Sequence, residues 1–106
     1  MRYVFDLDGT LCTNTNGKYL EAIPMPSRIY TVNKLYDEGN IIVVCTARGM
    51  GQFSGDRERA YETFYAFTAN QLANWGIKYH ELSLGKPSGD IYVDDKGTNA
   101  DAFFAS

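Results

Sequence analysis

An α/β fold built on an open, mainly parallel sheet follows from three observations on the 106-residue sequence. Tyr3-Val4-Phe5 and Ile41-Ile42-Val43-Val44-Cys45 are short apolar runs that stop abruptly at polar residues, as strands buried on both faces do. Segments with helical spacing alternate with such runs. The right-handed crossovers that join parallel strands then place helices on both faces of the sheet, in three layers.

Each element has its own signal. Tyr3 to Phe5 is a strand that runs into Asp6-Leu7-Asp8-Gly9-Thr10. Cys12 to Ala22 contains the turn dipeptide Asn16-Gly17 and predicts a small β-hairpin flap. Pro24 and Pro26 punctuate the chain, Ser27 is a candidate helix cap, and Ile29, Val32, Leu35 and Tyr36 recur at helical spacing until Gly39 stops them. Ile41 to Cys45 is the clearest strand and ends at Thr46-Ala47-Arg48-Gly49. The Gly-rich stretch from Gly49 to Asp56 is a loop. From Asp56 to Trp75 the pattern is helical, with Ala60, Phe64, Phe67, Gln71 and Leu72 near one face and Gly76 as its cap. Lys78 to Leu84 predicts a third strand, Asp90 to Val93 a fourth, and Ala100 to Ala105 a terminal helix. The gap between the last two strands is about half a dozen residues, whereas a parallel crossover needs about a dozen.

Composition narrows the class. Hydrophobic residues make up 44% and charged residues 22%, values of an ordinary globular chain of one domain, residues 1–106. No apolar run approaches the roughly 20 residues that span a bilayer. The acidic N-terminal decapeptide is no signal peptide, so a cytoplasmic location is the default. Net charge is −3 with no basic block, which argues against a large nucleic-acid footprint but not against a small phosphorylated ligand. Cys12 and Cys45 lack CxxC spacing; Cys45 reads as a buried small hydrophobe. His80 falls on the third strand without a chemical task.

In open parallel sheets ligands sit beyond the carboxyl ends of the strands. Three predicted strands end there in reactive residues: Asp6 and Asp8, Thr46 and Arg48, Asp94 and Asp95. Lys86 lies in the loop before the last of them. Asp6-Leu7-Asp8-Gly9-Thr10-Leu11, Thr46 closing a hydrophobic strand, Lys86 between Gly85 and Pro87, and Asp94-Asp95 after another strand resemble, in order, the four signatures of the haloacid dehalogenase superfamily of phosphotransferases. The resemblance covers nearly the whole chain. It implies a Rossmann-like phosphatase core without a cap domain.

The resemblance also implies roles. Asp6 is the nucleophile and forms an aspartyl-phosphate. Asp8 is the general acid and base. Mg²⁺ is held by Asp6, Asp94 and the backbone carbonyl of Asp8, and brings a carboxylate and a phosphate dianion together. Thr46 bonds a phosphoryl oxygen, Lys86 balances charge, and Gly9 lets backbone amides approach the phosphate; Thr10 and Ala47 line the substrate. Arg48 either contacts substrate or is an exposed loop residue. Asp95 either supports Lys86 or a metal-bound water, or ligates directly. Asn99 and Asp101 either cap the last helix or support the metal shell.

Other readings of these motifs are weaker. Asp-x-Asp opens many Ca²⁺ loops, but the twelfth position from Asp6 is Gly17, not Glu. An acid two places after the nucleophile resembles phosphatases and mutases rather than dehalogenases, and the absence of a cap argues against a mutase. The substrate expected is a small phosphorylated sugar or sugar acid, with a nucleotide or polynucleotide 3′-phosphate as the alternative. A non-catalytic phospho-ligand or metal-binding module on the same fold is the reading from another class. The aromatics Tyr61, Phe64, Tyr65 and Phe67 suggest core or a subunit contact, hence a possible homo-oligomer.

Overall fold

The computed structural model describes residues 1–105. Its elements are β1 (Arg2–Asp6), α1 (Pro26–Asp37), β2 (Ile41–Thr46), α2 (Arg57–Asn74), β3 (Glu81–Leu84) and α3 (Ala100–Phe104), with a 3₁₀ turn at Tyr19–Glu21. The three strands form one parallel sheet in the order β1-β2-β3. The α/β class and the open parallel sheet are as the sequence predicts.

Local chemistry explains the boundaries. Pro26 occupies the first position of α1, where its missing N–H costs nothing; the predicted cap at Ser27 lies inside the helix. Both long helices end in the same motif. Gly39 and Gly76 take positive φ, the Gly39 amide bonds Tyr36, and Asn40 bonds Leu35. Gly76 and Ile77 repeat this with Ala73 and Leu72. Asp56 caps α2 by accepting from the Arg59 amide at 3.1 Å. Asn99 caps α3, accepting from the amides of Asp101 and Ala102.

Alternation along the strands puts Tyr3, Phe5, Ile42, Val44, Leu82 and Leu84 on one face, because Phe5 pairs with Val44 and Val44 with Leu82. Ile29 and Val32 of α1 and Leu72 of α2 join that face in the core. Phe103 and Phe104 of α3 reach the same face, with ring centroids 5.7 and 5.9 Å from Phe5. All three helices therefore lie on one side, and the expectation of helices on both faces is corrected. The reason is topological: right-handed crossovers that step the same way from β1 to β2 to β3 put their helices on the same side. On the opposite face Val4 is 61% exposed, and of the strand residues there only Val43 is buried.

The predicted fourth strand does not form. Asp90 to Val93 is unpaired coil, with Ile91 and Val93 82% and 90% exposed. Its connection, Gly85 to Gly89, has neither the length nor an apolar helix to carry the chain back past β2 to the free edge of β1. The predicted third strand is shorter than drawn, beginning at Glu81. His80 precedes it, where its Nδ1 accepts from the Ile42 amide at 3.0 Å and its ring stacks on Tyr36. Its task is structural. The flap closes at its base, where Thr13 donates to Ile23 and Met25 to Leu11. Asn16 and Gly17 turn with positive φ as a hairpin tip, but the return arm coils into the 3₁₀ turn. Among the described residues no helix is long and apolar enough to cross a membrane.

Candidate active site

Asp6 ends β1 opposite Cys45 of β2, and the Leu7 amide extends the pairing to the Cys45 carbonyl at 3.1 Å. The chain then folds back on itself. The Leu7 carbonyl accepts the amides of Thr10, Leu11 and Cys12, and Gly9, at φ +85°, donates to the Cys12 carbonyl at 2.8 Å. Gly9 is needed for this turn, since L-residues rarely take that φ. Its amide and the next three are spent inside the loop, so the expectation that Gly9 turns amides towards a phosphate is not met here.

Two carboxylates emerge from the turn, and each has its own cation. Lys86 follows β3, its amide tied to the Thr46 carbonyl at 3.2 Å, and its Nζ lies 3.4 Å from Asp6 Oδ1. The ring of Tyr92 sits 4.3 Å from the same Nζ. Thr10 Oγ1 donates to Asp6 Oδ2 at a long 3.5 Å. Both Asp6 contacts are at the outer limit of polar interaction, leaving its oxygens free to bond further. Burial raises the Asp6 carboxyl above its ordinary 3.8; Lys86 opposes the rise and the nearby Asp8 charge adds to it.

Asp8 is held far more tightly. Arg48 grips it as a fork, with Nη2 2.9 Å from Oδ1 and Nε 3.0 Å from Oδ2. Thr46, fully buried, donates to Asp8 Oδ2 at 3.3 Å and accepts from the Arg48 amide. Cys12 Sγ donates to Asp8 Oδ1 at 3.5 Å. Its thiol is pushed up to about 12, first by burial and then by the Asp8 charge, so it serves as a donor rather than a nucleophile.

Arg48 departs from both expectations. Its side chain is fully buried, so it is neither an exposed loop residue nor a substrate contact. Nη1 donates to Thr68 Oγ1 at 3.2 Å and to Gln71 Oε1 at 2.7 Å, and the Tyr19 ring lies 4.6 Å from the guanidinium carbon. Gln71 Nε2 in turn holds the Tyr19 carbonyl of the flap. One buried arginine thus ties the Asp6 loop, β2, α2 and the flap together. A polar Gln71 on the apolar side of α2 was the sequence signal for this; Thr68 and Tyr19 carried none. Ala47 is half-buried and its carbonyl closes the next turn, accepting from Met50.

Asp94 and Asp95 do not join this group. Both are exposed, and Asp94 accepts the amides of Lys96 and Gly97 in its own loop. Their strand was to carry them to the site, and without it they stay in solvent. Asp101 pairs with Arg28, and Asn99 caps α3. Among the described residues no three His, Cys, Asp or Glu side chains gather closely enough to hold a metal ion.

No protein-family model and no curated protein sequence matches this chain. Two solved structures share its architecture. A structural-genomics target protein from Vibrio cholerae superposes with a TM-score of 0.90 at 25% identity, over 99% of this chain and 88% of that one. The D,D-heptose 1,7-bisphosphate phosphatase of B. bronchiseptica, crystallised with magnesium and phosphate, superposes with a TM-score of 0.55 at 16% identity. That match covers 84% of this chain and 51% of the phosphatase, so this chain spans about half its length.

The chain shares its fold with both structures. On this scaffold Asp6, Asp8, Thr46 and Lys86 gather beyond the carboxyl ends of the strands, the side of an open parallel sheet where ligands bind.

Proposed function

We propose that the protein hydrolyses phosphate monoesters, with Asp6 as nucleophile and Mg²⁺ as cofactor, on a small phosphorylated sugar or sugar acid. The observation that carries this reading is Asp6 itself: a part-buried carboxylate at the end of β1, with Lys86 Nζ 3.4 Å from it and Asp8 beside it. An Asp6 oxygen attacks phosphorus and the bond to the leaving oxygen breaks, that oxygen taking a proton from Asp8. Water then gives a proton back to Asp8 and attacks the aspartyl-phosphate. The bond to Asp6 breaks and inorganic phosphate leaves. Lys86 balances charge shared by Asp6 and the phosphate throughout. In the described conformation both Asp8 oxygens face Arg48 and Thr46. Proton transfer therefore requires Asp8 to turn one oxygen outward.

The weakly engaged Asp6 oxygens fit a hard cation that takes one or two carboxylates and fills its other positions with water and substrate oxygens. Asp6 and the Asp8 carbonyl would hold Mg²⁺, which would neutralise charge on the phosphate. Asp94 joins only if Asp90 to Val93 leaves its present loop, and the free edge of β1 in a second copy is open to it. In hydrogen exchange, Mg²⁺ with orthovanadate should slow the amides of Ile91 and Val93 at least tenfold. Equal exchange with and without them removes Asp94 from the ligand set.

The direct test is release of p-nitrophenol from p-nitrophenyl phosphate. Turnover should need Mg²⁺ and stop with EDTA. Folded protein that binds phosphate yet releases nothing would make this a binding module instead.

A further inference from the structure

The cleft beside Asp6 holds a second cation that cleavage of a bare phosphate ester does not use. Arg57 opens α2, and its side chain lies across the backbone of Gly85. A Cβ built on Gly85 would meet Arg57 Nε at 2.5 Å and Cγ at 3.2 Å. Gly85, at φ +98°, is thus required twice: for its own turn and for the room that Arg57 fills. The result sets Arg57 next to Lys86, the residue that pairs with Asp6.

Both cations border one cleft of about 730 Å³, together with Ser54, Ser83 and Ser88, and no carboxylate lines it. That volume falls within the range of small-molecule sites. The other arginines are engaged: Arg2 by Glu81, Arg28 by Asp101, Arg48 by Asp8, and Arg59 over the Phe53 ring. Arg57 has no ion-pair partner among the described residues. Its planar fork matches a carboxylate or a phosphate, and serine hydroxyls can satisfy the remaining oxygens.

We infer that this cleft is a subsite for a second anionic group of the substrate, a carboxylate or a second phosphate, bound by Arg57 while the reacting phosphate sits at Asp6 and Lys86. This rests on the hydrolase reading and narrows its substrates to phosphate esters with two separate anionic groups.

The test compares kcat/KM for glucose 6-phosphate, 6-phosphogluconate and fructose 1,6-bisphosphate in the wild-type protein, Arg57→Met and Arg57→Lys. The neutral remainder of the first probe makes it the reference. Wild type should favour the doubly anionic probes. Arg57→Met should lower that preference by about tenfold or more, through KM, as loss of a charged hydrogen bond does. Arg57→Lys should keep part of it. The carboxylate and bisphosphate arms tell which anion is preferred. An unchanged preference in Arg57→Met overturns the subsite. If wild type cleaves no phosphate ester, the hydrolase reading fails and calorimetric binding of 6-phosphogluconate decides alone. Weaker binding to Arg57→Met then upholds the subsite, and equal or absent binding overturns it.

Discussion

Arg48→Met should lower the unfolding free energy by about 3–5 kcal/mol, the cost of removing one partner from a buried ion pair. Arg48 is fully buried and its Asp8 partner is 19% exposed. The substitution leaves the part-buried Asp8 carboxylate without its cation, strips Thr68 and Gln71 of their donor, and removes the cation from the Tyr19 ring. A domain of this size is stable by about 5–15 kcal/mol in all. The melting temperature should therefore fall on the order of 15 °C or more. Arg48→Lys keeps the charge but not the fork, and should lie between. Adding Asp8→Asn to Arg48→Met should recover part of the loss, because the orphaned charge goes with it; a denaturation cycle over the four proteins measures this coupling. If Arg48→Met melts within a few degrees of wild type, the buried network is not what holds the loop. The exposed pairs Arg2–Glu81 and Lys78–Asp37 should give less than about 1 kcal/mol in the same assay.

Asp6→Asn should abolish phosphate-ester turnover, by on the order of 10⁴-fold or more, since an amide cannot attack phosphorus. It should at the same time stabilise the fold at neutral pH. Burial raises the folded-state carboxyl of Asp6 above its ordinary value. A group raised in this way favours the folded state below its unfolded pKa, and that contribution is lost as pH rises through the folded value. At pH 7 the Asp6 charge therefore works against folding despite Lys86. Asn carries no charge, so in EDTA the variant should melt higher than wild type at pH 7, with the gain shrinking as pH falls to the ordinary carboxylate range. A lower melting point at pH 7 would mean that the Lys86 pair outweighs burial. Turnover close to wild type would end the nucleophile assignment.

Much of the scaffold was legible because its signals are local. Strand β2 is a β-branched run that ends where Thr46 turns polar, and Gly39 and Gly76 mark helix ends through a φ that other residues avoid. The gathering of Asp6, Asp8, Thr46 and Lys86 followed from strand ends alone, since parallel strands deliver their carboxyl ends to one edge. Asp94 was misplaced for a related reason. Asp90 to Val93 has the apolar composition of a strand, but pairing depends on whether the preceding connection can carry it to a free edge.

What the sequence determined by itself was the α/β class, the open parallel sheet and the convergence of Asp8, Thr46 and Lys86 on Asp6, because apolar periodicity and strand ends are properties of neighbouring positions. The tertiary structure decided the partners. It buried Arg48 against an Asp forty positions earlier and a helix twenty positions later, and it laid Arg57 across Gly85. It also put every helix on one face and left Asp94 in solvent. These follow from long-range packing, where a charge is placed by what remains after the apolar surfaces have met.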